Sequence, residues 1–209
     1  MTTSSTNHAL ANVQLSKSVA KHLLSDEDTA RANWYSWFAA IWLNAPTTEQ
    51  IAAWQQSLND EDTSDLGISW NLVVRRATEL GALAIQAEYD SIFVSVGKPE
   101  IFPNASFHLT GFLHEKPLVE IRQRMQELDL GGFEIALTED HLGLLCTTMR
   151  ELIAMNSTGQ VEFLQDFIAS WADSFVSAID VSVRADFYKT VAQLWQVFLA
   201  VEVQAFDFE

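Results

Sequence analysis

The sequence predicts an all-α fold, a single-domain helical bundle with one long proline-containing loop. Three observations carry that expectation. Helix breakers are sparse, with eight Gly and four Pro in 209 residues, which favours long helices over many short strands. Apolar residues recur at three- and four-residue spacing, as in Leu164, Phe167, Ile168, Trp171 and Phe175, the signature of one buried helical face. Hydrophobic residues make up 48%, including seven Trp and thirteen Phe, enough for one sizeable core in a chain too short for two ordinary domains. No repeat or linker divides it, so residues 1–209 read as one domain with 1–7 a disordered polar tail.

Taken in order, a helix is expected from about Ala9 to Leu24, ending at Ser25-Asp26-Glu27-Asp28, whose acidic residues suit the next helix start. That next helix carries Trp34, Trp37, Phe38, Ile41 and Trp42 and stops at Asn44-Ala45-Pro46, because the residue before proline disfavours helical geometry. Thr47 or Thr48 caps a short helix with Ile51 and Trp54, and Asp60-Glu61-Asp62 with Asp65 forms an exposed acidic loop. A helix from about Ser69 to Tyr89 follows, with Leu72, Val73, Ala77, Leu80 and Ala84 on its buried side. Ile92 to Gly97 reads as an extended segment packed across helices, since a lone strand is unstable. Lys98 to Phe107, with two prolines, is a loop of fixed geometry. Pro117 suits the first turn of a helix through Leu128, and Gly131-Gly132 ends that region. Thr138 caps a helix to about Met155, Ser157 or Thr158 one to Ile179, and Ser182 the last, to about Phe206.

Charge and residue chemistry narrow the function. A formal net charge of −16 excludes binding to a nucleic-acid backbone, which needs clustered Lys and Arg. It also disfavours an anionic membrane surface and suits a basic peptide partner. Cys146 is the single cysteine; it lies in an apolar helical run and reads as a packing residue. The N-terminus lacks the basic start and apolar core of a secretory signal. The densest apolar run, Trp34 to Leu43, is about half of a membrane span. A soluble cytoplasmic protein without an integral membrane segment is therefore expected.

Catalytic patterns are weak. Gly97-Lys98-Pro99 lacks the spacing of a phosphate loop. His108 and His114, six apart with Glu115 adjacent, give only a faint zinc signal. Glu139-Asp140-His141 is the one compact polar cluster, and it reads in two ways. Acidic residues at a helix start stabilise the helix dipole by about 0.3–1 kcal/mol each. Beside a cleft, the same carboxylates could receive a cationic side chain of a ligand. Consecutive helical residues diverge by about 100°, so the three cannot converge on one metal.

Several segments together resemble the TorD/DmsD family of redox-enzyme maturation chaperones. An acid-aromatic pair leading to a Leu-Phe-like pair and a glycine is matched by Glu88-Tyr89, Ile92-Phe93 and Gly97. A proline-rich segment with a serine and an aromatic is matched by Pro99, Pro103, Ser106 and Phe107, and the helix-opening triplet by Glu139, Asp140 and His141. Gln160 to Trp171 and Phe187-Tyr188 look like the family's last two helices. Ser95-Val96 displaces the glycine, and Thr138 stands where a proline often precedes the acidic pair. The resemblance runs from about Arg31 to the C-terminus.

The resemblance implies a non-enzymatic cytoplasmic chaperone. It would bind the twin-arginine signal peptide and apo form of a molybdoenzyme, of trimethylamine-N-oxide reductase, dimethyl sulfoxide reductase or formate dehydrogenase type, during cofactor insertion before export. The protein itself would carry no cofactor or metal, the molybdopterin belonging to the client, and would be a monomer or dimer. Glu139 and Asp140 would meet the basic pair; Tyr89, Phe93, Pro103, Ser106 and Phe107 would shape the pocket, with His141 and Tyr35 as further wall residues. Truncating Asp140 would then weaken leader binding and leave helicity and thermal midpoint nearly unchanged. The alternatives are a helical scaffold subunit of a redox complex and a weak nucleotide-binding hydrolase.

Overall fold

The computed structural model describes residues 24–94, 98–131 and 136–206; the tail at 1–7 and all but the last residue of the helix expected at Ala9–Leu24 lie outside them. The α-helical segments are, in order, α1 (Asp26–Leu43), α2 (Thr48–Gln55), α3 (Asp65–Tyr89), α4 (Ala105–Thr110), α5 (Lys116–Glu127), α6 (Leu142–Ala154), α7 (Gln160–Leu164), α8 (Ser170–Val181) and α9 (Phe187–Phe206). Single π-turns extend α3 through Asp90–Val94 and join α7 to α8 through Gln165–Ala169. The one β-like contact among the described residues is an isolated antiparallel bridge between Asn104 and His141. The fold is all-α.

Two unlike faces of α1 organise the core. Ser25 caps the helix, its hydroxyl accepting from the Asp28 N–H at 2.9 Å, and three acidic residues fill the first turn. One side of α1 meets α6 closely enough that a Cβ on Gly143 would lie 2.5 Å from the Leu43 side chain and 3.2 Å from the Ala39 carbonyl. The other side faces α9 through rings. Phe38 meets Trp195 at 4.7 Å, Tyr35 meets Phe198 at 5.0 Å and Trp42 meets Tyr188 at 6.0 Å between centroids. Burying such a side chain contributes about 1.5–3 kcal/mol, so this aromatic layer supplies much of the cohesion. Trp34, Trp37, Trp54 and Trp70 join α1, α2 and α3 in a half-buried nest with neighbouring rings 5.2–6.3 Å apart.

A buried polar cluster ties the start of α1 to the end of α9. Glu202, 2% exposed, accepts from Arg31 Nε at 2.8 Å, from its Nη2 at 3.0 Å and from the Tyr35 hydroxyl at 3.0 Å. The Arg31 guanidinium also lies 5.0 Å over the Phe206 ring.

Several elements differ from the sequence expectation. α3 begins at Asp65, not Ser69, because Ser64 caps it by accepting from the Gly67 N–H at 3.1 Å. Its regular geometry breaks at Gly81, where φ is 75° and ψ 161°, a conformation open to glycine. Val73, Val74, Ala77 and Ile85 are inside; Leu72, ahead of the break and at the edge of that stripe, is 45% exposed, and Ala84, beyond the break, is exposed as well. Ile92 and Phe93 are not extended but lie in the π-turn that continues α3, and both are buried. Tertiary packing thus overrides their β-branched and aromatic propensity. α6 starts at Leu142 with His141 as its cap, not Thr138. α7 starts at Gln160, later than a Ser157 or Thr158 cap implied.

The end of α3 fastens two other helices. Glu88 accepts from the backbone N–H groups of Asp186, Phe187 and Tyr188 at 2.8, 3.0 and 2.9 Å, satisfying donors that a helix N-terminus leaves unpaired. Next to it, the Tyr89 hydroxyl donates to the Leu43 carbonyl at 2.8 Å, at the C-terminal end of α1. Replacing Glu88 by Ala leaves three helix-start donors without their anionic acceptor. It is expected to lower stability by about 2 kcal/mol, read as a lower urea midpoint with unchanged slope.

Candidate functional site

The loop before α4 and the loop before α6 interlock. The Ala105 N–H donates to the Asp140 carbonyl at 2.9 Å and the Leu142 N–H to the Pro103 carbonyl at 2.7 Å, which closes the Asn104–His141 bridge. Asp140 is fully buried. Its carboxylate accepts from the Thr138 hydroxyl at 2.5 Å, from Asn104 Nδ2 at 3.1 Å and from the Ser106 N–H at 3.1 Å. Burial works to raise its pKa, but hydrogen bonds from Thr138, Ser106 and Asn104 outweigh it and hold the carboxyl below its usual range.

His141 is 5% exposed. Its Nδ1 accepts from the Gly143 N–H at 3.1 Å, which caps α6 and places the ring proton on Nε2. Burial lowers its pKa from 6.5 to about 4, against a smaller opposing effect of Asp140. The imidazole is therefore neutral at physiological pH.

Glu139 is the outward member of the triplet, its Oε2 paired with Arg122 Nε at 2.8 Å. The expectation that Glu139 and Asp140 both open the helix does not match the structure, since both precede its first residue. Nor does Asp140 point outward; it is saturated from within.

Aromatic site residues form a chain. Tyr89 meets Phe93 at 5.3 Å, Phe93 meets Phe175 at 6.5 Å and Phe175 meets His108 at 5.6 Å. His108 then meets Phe107 at 5.7 Å, and Phe107 meets Phe102 at 4.7 Å. His108 is fixed within it, stacked on Trp171 at 5.3 Å, with Nε2 donating to the Phe102 carbonyl at 2.8 Å and Nδ1 3.0 Å from the Ser174 hydroxyl. Burial lowers its pKa, partly offset by that carbonyl. Lys98 Nζ lies 5.8 and 6.0 Å over the Phe102 and Phe107 rings.

The candidate residues therefore divide. Pro103, Ser106, Asp140 and His141 come together in the interlock, and Tyr89, Phe93 and Phe107 in the ring chain. Tyr35 belongs to neither, being fully buried against Glu202 and Phe198, where burial raises its pKa well above the ordinary value. Sequence reasoning missed Asn104 and Phe102 as parts of this region, and read Thr138 as a helix cap, not as the hydroxyl that donates to Asp140. Asn104 next to Pro103 was the available signal, since a side-chain amide in a proline loop bonds nearby polar groups. Cys146 is fully buried and burial raises its thiol pKa, which fits a packing role. No cluster of three or more His, Cys, Asp or Glu able to hold a metal occurs among the described residues. No helix among them is long and apolar enough to cross a membrane.

The family of the nitrate reductase delta subunit matches residues 43–177, well over half of the chain and both halves of the interlock. The chain belongs to this family. Within the delta subunit family, it is similar to the chaperone protein TorD of Aliivibrio salmonicida (strain LFI1238), at 22% identity over 200 residues, covering 83% of this chain and 93% of that protein. Its fold is similar to the crystal structure of a candidate redox enzyme maturation protein from Archaeoglobus fulgidus. The TM-score is 0.55 at 17% identity, with 86% of this chain and 97% of that one covered. The chain is thus a TorD-like family member, similar to a protein named as a chaperone.

Removing the Asp140 carboxylate leaves the buried Ser106 N–H and the Thr138 hydroxyl without their acceptor. Asp140→Ala should therefore lower stability by about 3 kcal/mol, contrary to the unchanged midpoint expected from sequence. Glu139→Ala should change it by less than about 0.5 kcal/mol. Paired thermal melts of the two variants check this.

His141 takes a proton less readily in the fold than in the unfolded chain. Its contribution is whole above about pH 6.5 and is lost as the pH falls towards about 4, a change of about 3 kcal/mol. The depressed Asp140 carboxyl acts in the same direction at lower pH. Melts of His141→Asn, which keeps a capping side chain, should show a shallower loss of midpoint between pH 6.5 and 4 than the wild type.

Proposed function

We propose that the protein is a cytoplasmic, system-specific maturation chaperone. Its ligand would be the twin-arginine leader, and the apo body, of a molybdoenzyme precursor, held during cofactor insertion before export. The family match across residues 43–177, together with similarity to a chaperone protein TorD, carries the reading. The site chemistry supports a binding role over a catalytic one. The His141 imidazole is neutral and engaged, the Asp140 carboxylate is saturated, and neither is presented to a reacting group.

Of the nine residues singled out from sequence, Glu139, Phe107 and Tyr89 keep partial exposure, and Glu139 and Phe107 would be the ones to touch a client. Pro103, Ser106, Asp140 and His141 position them, Tyr89 and Phe93 back the same face, and Tyr35 acts through the core. A net charge of −16 speeds encounter with a cationic leader more than it deepens affinity. The molybdopterin would belong to the client, not to this chain.

Calorimetric titration with a synthetic leader bearing an Arg-Arg pair and an apolar stretch should give saturable binding that weakens as salt rises. Absence of binding to the leader and to the full precursor would sink the reading. The family description names a subunit, which favours a second reading as a scaffold subunit of a redox complex. Stable co-purification with mature enzyme, and not only with its precursor, would establish that one instead.

A further inference from the structure

An open groove of about 480 Å³ lies between α5 and the π-turn joining α7 to α8, with α4 contributing to its lining. Its apolar lining is Ala105, Leu109, Pro117, Ile121 and Phe167; Leu109 and Phe167 keep accessible surface, whereas Ala105, Pro117 and Ile121 are buried beneath them. Leu109 is 46% exposed, and Phe112, just beyond α4, is 69% exposed, so apolar surface continues past the groove. The α5 residues that line it run from Pro117 to Glu127, about 15 Å at the helical rise, or nearly three turns of a docked helix.

The opposite wall depends on the π-turn. Gln165, Asp166 and Phe167 all line the groove, with Ser170 after them. In a regular helix three consecutive side chains diverge by about 100° each; here all three border the groove. π-turns are infrequent and concentrate where a helix serves a site.

The charged lining has one sign in excess. Glu120, Glu127 and Asp166 supply three carboxylates against the single guanidinium of Arg124. Arg124 is engaged by Glu127 at 3.4 Å and by Glu162. Glu120 has only the exposed Lys116, at 2.7 Å, and Asp166 has no ion pair among the described residues.

An apolar trough rimmed by carboxylates fits an amphipathic helix whose polar positions are basic. We propose that this groove seats the client leader as such a helix, its apolar stretch on Leu109 and Phe167 and its basic residues towards Glu120, Glu127 and Asp166. The proposal rests on the chaperone reading and adds the place and conformation of the ligand. α4 carries both Phe107 of the ring chain and Leu109 of the groove, so the interlock through Asp140 holds the groove wall in place.

The test is a fluorescence-anisotropy titration of the full chain with a labelled peptide of an Arg-Arg pair followed by an apolar run of about 12 residues. Leu109→Glu and Asp166→Lys alter exposed groove positions, and Leu83→Glu, at a residue 90% exposed on α3, is the control. Each groove variant should weaken binding at least tenfold, with the control and all thermal midpoints unchanged. Wild-type affinity in both groove variants would overturn the groove as the seat while leaving the chaperone reading intact. Failure of the wild type to bind any leader peptide would overturn the groove proposal, and the chaperone reading falls with it only if the full precursor is not bound either. If sedimentation shows a dimer that Leu109→Glu dissociates without loss of peptide affinity, the groove is a self-association surface and the proposal fails.

Discussion

The Asp140 carboxylate joins segments 34 residues apart by accepting from Thr138, Asn104 and the Ser106 N–H. Around it the Ala105 and Leu142 amides complete a miniature antiparallel contact in a protein otherwise built from helices. Without this tie, α4 would be one and a half turns of helix between two loops, too short to hold itself. With it, α4 is fixed against α6, and the ring chain on its Phe107 side and the groove on its Leu109 side inherit that rigidity. A buried carboxylate of this kind is conformational hardware; its chemistry is directed inward.

Helix packing supplies the frame to which that hardware is bolted. α1 sits tightly on α6 where Gly143 lacks a side chain, and stands off from α9 by a layer of aromatic rings. Close approach on one side and wide spacing on the other leave little freedom to shift, because interiors of this density do not deform continuously. The Arg31–Glu202–Tyr35 cluster fastens the far end of the same pair of helices. Removing one partner from such a cluster would strand a charge in the interior, which makes it a structural counterpart to Asp140.

Much of this was legible in the sequence. The three-four spacing placed Phe187, Val191, Leu194, Trp195 and Phe198 on one face, and all five are buried. The resemblance to a family of maturation chaperones picked out the two loops that interlock. What the sequence could not supply was direction. Asp140 and Glu139 are neighbours of the same chemistry, yet one is fully buried and the other pairs with Arg122; that difference is set by Asn104 and Ser106, far away in the chain. Ala84 looked like a core residue because the period was extended through Gly81, where the helix breaks, and Leu72 because it borders the stripe of Val73 and Ala77. Ile92 and Phe93 read as extended because local propensity ignores the packing of Phe93 on Trp42, Tyr188 and Phe175. The groove left no motif at all, since its walls come from three separate elements and a π-turn has no clear sequence signature.

Glu88 and Tyr89 are adjacent in sequence, yet Glu88 reaches the start of α9 and Tyr89 the end of α1. Their angular separation of about 100° along a helix is what lets two neighbours serve two partners. The stretch from Gly81 to Tyr89 therefore has a fixed residue count. One inserted residue would swing both side chains by that angle and advance them about 1.5 Å, breaking both anchors at once. Insertions are thus excluded from this stretch, and the final turns of α3 act as a ruler for the assembly of the bundle.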